Sequence, residues 1–184
     1  SFFPAKPLGC YGDGGAIFTN DDEVAVLIRS LAVHGKGEHK YDNVRIGWNS
    51  RLDAMQAAVL LVKLDAFEEH ELEDVNKVAG WYTEVLRDKV KTPIIPEGYT
   101  SSWAQYTITL KSEEERDQVV NRLKEQGIPT IIYYPKPLHQ QTVYKNQKLY
   151  VPCSVSEELS KTVVSLPMDS YKEEDTCKKI CQNI

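Results

Sequence analysis

Residues 4–15, Pro4-Ala5-Lys6-Pro7-Leu8-Gly9-Cys10-Tyr11-Gly12-Asp13-Gly14-Gly15, set two prolines around one lysine and follow them with four glycines in seven positions. Proline fixes φ and glycine admits values closed to other residues, so this stretch can form neither a helix nor a ladder. It predicts a rigid loop that ends in tight turns, followed by a strand over residues 16–19, Ala16-Ile17-Phe18-Thr19. A lysine on so constrained a backbone is suited to one kind of chemistry. In a rigid, partly desolvated pocket its amine is partly neutral and can attack an aldehyde. Ser1 could offer a hydroxyl to a phosphate from the same loop. The plainer reading of Lys6, a solvated surface charge, stands beside this one until context decides. Two glycine-loop alternatives fail: the spacing G-x-x-x-x-G-K-[ST] is absent, and so is G-x-G-x-x-G between a strand and a helix.

Beyond the loop, Asn20-Asp21-Asp22-Glu23 supplies a cap and early acidic charge for a helix through Val24, Leu27, Ile28 and Leu31, stopping at Gly35. Residues 34–47 lack a period and predict a loop. From Leu52, apolar residues recur at three and four (Met55, Val59, Val62, Ala66), and Ala58, Leu61 and Leu64 widen that face, which predicts burial on more than one side. The register of Leu72, Val75, Ala79, Tyr82 and Leu86 continues as one bent helix or a second joined one. Residues 91–102, with Pro93, Pro96 and Gly98, connect to a lobe of shorter elements. These are strands at 104–110, 130–134 and near Val164, and helices at 113–126, 156–162 and 172–183. Their βαβ-like alternation predicts an α/β fold with a domain division into residues 1–66 and 67–184.

Several classes are excluded. The net charge is −5 with scattered Lys and Arg, which rules against a nucleic-acid stripe. No run reaches the ~18 apolar residues of a membrane helix, and residues 1–6 do not read as a secretion signal. The start at Ser1 reads as mid-protein sequence. Cys10, Cys153, Cys177 and Cys181 form no C-x-x-C pair, and His34, His39, His70 and His139 form no metal-binding spacing. Reduced thiols in a cytoplasmic protein, with no metal site, are expected.

The segment Ser1 to Asn20 as a whole resembles the cofactor-lysine segment of the DegT/DnrJ/EryC1/StrS family of sugar aminotransferases. In the order that family has, Gly47-Trp48-Asn49-Ser50-Arg51-Leu52-Asp53-Ala54-Met55-Gln56-Ala57-Ala58 is similar to its G-x-N-x-R-L-D-x-x-Q-A-A motif. Later similar pieces are Trp103-Ala104-Gln105-Tyr106, Gly127-Ile128-Pro129-Thr130 through Tyr134-Pro135-Lys136-Pro137-Leu138-His139, and Ser165-Leu166-Pro167-Met168. The chain departs from the family at Tyr133-Tyr134-Pro135, where relatives carry His-Tyr-Pro, and at Gln141-Thr142-Val143-Tyr144. Both departures touch substrate selection.

The resemblance implies a fold type I transferase dependent on pyridoxal 5′-phosphate (PLP), present as the C-terminal part of the large domain plus the small α/β domain. It makes Lys6 the catalytic lysine that holds the cofactor and moves a proton. It places Ser1 on the cofactor phosphate and Asn49 on the phosphate of the partner's site in a homodimer. Arg51 becomes a candidate for an anionic group of donor or sugar, with a plain ion pair as its competitor. Tyr133, Tyr134 and His139 become candidates for the nucleotide-sugar pocket, with ordinary packing as theirs. Because Lys6 is not histidine, the resemblance is to the aminotransferases and not to their dehydratase cousins. The implied reaction carries an amino group from glutamate to a nucleotide-linked keto sugar. The family's ring-stacking and pyridine-nitrogen partners precede the lysine segment, so these residues alone are expected to be inactive. A non-catalytic dimerising or regulatory module is the competing expectation.

Overall fold

The computed structural model describes residues 1–148 and 151–184. It divides into two compact units, Ser1–Glu69 and His70–Ile184.

In the first unit the lysine loop leads to α1, Asp22–Ala32, whose N-cap Asp21 accepts from the amides of Glu23 and Val24. After a looped return comes α2, Ala54–Ala66, capped by Asp53, which accepts from the Gln56 amide. The cap explains why the helix begins two residues later than the apolar period suggested. Two expectations fail here. Residues 16–19 form no strand and are exposed, Phe18 at 92%. A strand needs a partner for its N–H and C=O groups, and none lies beside it among the described residues. The broad apolar face of α2 is also uncovered: Leu60 is buried, while Met55, Leu61 and Val62 are exposed, Met55 at 76%. Periodicity reports which face is apolar, not what covers it.

Helical backbone continues without a break from α2 through a π-helical turn, Phe67–Glu71, into α3, Leu72–Leu86. The second unit then adds β1 (Tyr106–Thr109), α4 (Glu113–Glu125), a 3-10 turn (Leu138–Gln140), α5 (Ser154–Thr162), β2 (Val163–Leu166) and α6 (Glu174–Cys181). β1 and β2 pair antiparallel, Tyr106 opposite Leu166 and Thr109 opposite Val163. This corrects the βαβ-like expectation, since a βαβ unit would make neighbouring strands parallel. Residues 130–134 are likewise not a strand. Only Ile131 bridges to Ser165, and Pro129 and Pro135 flank the segment with positions that cannot donate.

The core of this unit follows from period. Val75, Val78, Ala79, Tyr82 and Leu86 of α3 meet Tyr106 and Ile108 of β1, Val119 and Leu123 of α4, and Cys177, Ile180 and Cys181 of α6. Each such side chain contributes roughly 1.5–3 kcal/mol by leaving water. Its polar atoms are paired: the Tyr82 hydroxyl donates to the Pro167 carbonyl at 2.8 Å, the Tyr106 and Thr83 hydroxyls bond at 2.7 Å, and Trp103 Nε1 donates to Asn76 Oδ1 at 2.8 Å. All four cysteines are free thiols. Burial raises the Cys177 thiol above its ordinary range and pushes Cys181 up to about 11, so both stay protonated packing groups.

Candidate active site

Lys6 sits at the crest of a turn closed by its own amide, which donates to the Phe3 carbonyl at 2.8 Å. Gly9 packs beneath. A β-carbon there would stand 2.8 Å from the Phe3 carbonyl oxygen and 2.9 Å from those of Pro4 and Lys6, so only glycine closes the turn. Buried Cys10 pins the loop: its amide and thiol both donate to the Phe2 carbonyl, at 2.8 and 3.0 Å, and the thiol also reaches the Gly12 carbonyl at 3.1 Å. The Phe2 amide in turn donates to Gly14 at 2.8 Å. The loop is then tied to α2, where Gln56 Oε1 accepts from the Tyr11 amide at 2.8 Å. Lys6 itself is exposed, and its amine has no hydrogen-bond or ion-pair partner among the described residues. Ser1 is also exposed, with its hydroxyl oxygen 3.4 Å from the Phe3 amide.

Asn49 and Arg51 are placed by a second close approach. After α1 the chain turns at His34 and Gly35, whose φ values are 59° and 74°. It comes back antiparallel: the Trp48 amide donates to Leu31 at 2.7 Å, His34 to Trp48 at 2.8 Å and Ser50 to Ala32 at 2.9 Å. A β-carbon on Gly47 would lie 2.2 Å from the Gly35 nitrogen, so glycine is obligatory there too. Asn49 faces Val33 in an isolated bridge, and its Oδ1 accepts from Arg51 Nη2 at 2.7 Å. The motif read between residues 47 and 58 therefore works as one device: Gly47 for the approach, Asn49 and Arg51 side by side, Asp53 as cap, Gln56 as tie.

Tyr133, Tyr134 and His139 belong to the second unit. The two tyrosine rings meet edge to face at 5.3 Å, with Tyr134 exposed. His139 Nε2 lies 2.9 Å from Glu157 Oε1. That hydrogen bond, with a smaller one from Gln140, holds the Glu157 carboxyl below its ordinary range. Tyr133 and His139 do not share a cleft: Tyr133 lines two clefts of about 200 and 380 Å³, and His139 a third of about 550 Å³. Cys10 was read from sequence as a buried thiol only, and its role as the loop's anchor had no signal beyond its place between glycines.

The available groups, a free primary amine on a fixed turn, a hydroxyl in the same loop, and an amide beside a guanidinium, fit a ligand carrying an aldehyde and a phosphate. A crystal structure of a DegT DnrJ EryC1 StrS aminotransferase from Brucella abortus matches with a TM-score of 0.92 and 52% identity, over 99% of this chain and 48% of that one. The sequence profile of the DegT/DnrJ/EryC1/StrS aminotransferase family matches residues 1–184, and the chain belongs to this family. The UDP-2-acetamido-2-deoxy-3-oxo-D-glucuronate aminotransferase of Pseudomonas aeruginosa is 46% identical over 98% of the chain and 49% of its own length. A Geobacillus stearothermophilus protein named pleiotropic regulatory protein is 42% identical over 100% of the chain and 50% of its own length. The chain thus spans about half the length of the curated relatives it matches. Among the described residues no helix is long and apolar enough to cross a membrane.

Proposed function

We propose that this chain is the lysine-bearing part of a PLP-dependent aminotransferase that moves an amino group from glutamate to a nucleotide-linked keto sugar in the cytoplasm. The observation that carries it is the free amine of Lys6 on a turn that Gly9 and Cys10 hold rigid and Gln56 ties to α2. When bound, PLP supplies the aldehyde for covalent attachment and the electron sink for the reaction. Lys6 would hold the cofactor through its amine and, when displaced by an amino substrate, would take the proton from the donor's α-carbon and deliver one to the sugar carbon that becomes aminated. The Ser1 hydroxyl bonds the cofactor phosphate, and Asn49 reaches the phosphate of the partner's site in a homodimer. One donor of Arg51 is engaged by Asn49, which orients the remaining fork toward a carboxylate. Among the described residues Arg51 has no carboxylate partner, and the uronate named in the Pseudomonas relative supports such a group on the sugar.

Residues 1–66 are the remainder of the PLP-binding large domain, and residues 67–184 the small domain that frames the sugar with Tyr133, Tyr134 and His139. The 184 residues alone bind PLP weakly and do not turn over, because the family's ring-stacking and pyridine-nitrogen partners lie outside them. Borohydride reduction in excess PLP, followed by peptide mapping, tests the reading. Label fixed on Lys6 ahead of the other lysines supports it, and label spread evenly over surface lysines overturns it. The second reading, a regulatory module without chemistry, has the name of the Geobacillus relative in its favour and predicts that even spread.

A further inference from the structure

Glu71 is the only buried carboxylate among the described residues, at 5% exposure. It falls four residues before Val75 and seven before Val78, in phase with the buried face of α3. A carboxylate in that position costs free energy unless a donor meets it. Tyr171, 100 residues away in sequence, is such a donor: its hydroxyl donates to Glu71 Oε1 at 2.6 Å. Tyr171 is itself 72% exposed, so an exposed ring delivers its hydroxyl to a buried acid. The hydrogen bond to Glu71 holds that hydroxyl above its ordinary range, and it stays a donor at neutral pH. Contacts on both sides support the pair. Asp169 Oδ1 accepts from the Tyr171 amide at 3.0 Å, and Asp169 Oδ2 meets Lys172 Nζ at 2.8 Å. The His70 ring meets the Tyr171 ring edge-on at 6.4 Å, and His70 Nδ1 lies 3.2 Å from Asp74 Oδ2.

Glu71 closes the π-helical turn Phe67–Glu71, and the division between the two compact units falls inside that turn. A π turn bonds each amide five residues back instead of four and is rare, so a tertiary contact has to select it over the α-helix on either side. We propose that this turn is a register hinge with a π and an α state, and that the Tyr171 hydroxyl, by holding Glu71, latches it in the π state. Passing from one state to the other shifts the helical register by about one residue, about 1.5 Å and about 100°. Release of one exposed hydroxyl thereby becomes a discrete step in the helix. The hinge is independent of the chemistry at Lys6 and stands whether or not the chain binds PLP.

Hydrogen exchange and NMR of the 184-residue chain test it. Tyr171→Phe keeps the ring and removes the latch, so amides of residues 67–75 should exchange about three- to tenfold faster, with those of residues 78–86 unchanged. In a Glu71→Ala background, Tyr171→Phe should add nothing, because the two groups act as one pair. Scalar couplings across hydrogen bonds should report pairing five residues back in the wild-type turn, with pairing four residues back gaining in Tyr171→Phe. Unchanged exchange at residues 67–75, or faster exchange with no gain in pairing four residues back, overturns the hinge. The same acceleration by Tyr171→Phe when Glu71 is already gone overturns the latch.

Discussion

The lysine turn is held by contacts that leave no room for a methyl group. Gly9→Ala sets a β-carbon against three carbonyl oxygens at 2.8–2.9 Å, and backbone has no rotamer to yield, so the turn opens. We expect a cost of about 1–3 kcal/mol in thermal unfolding and loss of selective PLP labelling at Lys6. Gln56→Ala is a milder test of the same loop. It removes the acceptor of an exposed backbone amide, so stability falls by about 0.5–1.5 kcal/mol. Label selectivity at Lys6 should fall more visibly than stability, since the loop loses its tie to α2. A Gln56→Ala chain that labels like wild type would show that the tie does not position the lysine.

Helix ends and hydrogen-bonded pairs carry the next scale. Ser112 caps α4 by accepting from the Glu115 amide, while Glu115 Oε2 reaches back to the Lys111 amide at 2.8 Å. Ser112→Ala should cost about 1 kcal/mol by denaturant unfolding. The contact between the 3-10 turn and α5 depends on pH. Glu157 has its carboxyl lowered by His139. A group with a depressed folded pKa adds stability that is complete above its unfolded value and fades as pH falls through the folded one. Acidification below the ordinary glutamate range of about pH 4–5 should therefore loosen this contact, and Glu157→Gln should flatten that acid limb of the melting temperature. An unchanged limb would place the acid sensitivity elsewhere. The strands expected at residues 16–19 and 130–134 belong to this scale as well. Ile17-Phe18-Thr19 and Ile131-Ile132-Tyr133 have strand-forming composition, but a strand is completed by its neighbour, which local sequence does not contain.

Across the molecule, the apolar interior is concentrated in the second unit. Its cluster spans α3, β1, α4, β2 and α6, whereas the buried apolar side chains of the first unit among the described residues are Cys10 and Leu60. Hydrogen exchange of the 184-residue chain should show two tiers: slow amides in α3, β1 and β2, and fast ones in α1 and the lysine loop. Uniform protection would contradict this division. Tyr82→Phe probes the strong tier. The tyrosine is fully buried, and burial holds its hydroxyl protonated as donor to Pro167. Its loss strands a carbonyl and should cost about 1–3 kcal/mol.

What the residues determined alone was local and chemical. The prolines and glycines around Lys6 required a rigid turn, Asn20-Asp21-Asp22-Glu23 marked the start of α1, and the period of α3 named its buried face, because φ limits, caps and periodicity act within a few residues. The family motifs were legible for the same reason, being short and ordered along the chain. Only the tertiary structure decided that β1 and β2 run antiparallel, that Gly47 is held by Gly35, that Gln56 reaches Tyr11, and that the apolar face of α2 is uncovered. Each of these depends on which distant backbone comes within hydrogen-bond or van der Waals reach, and no local pattern encodes that.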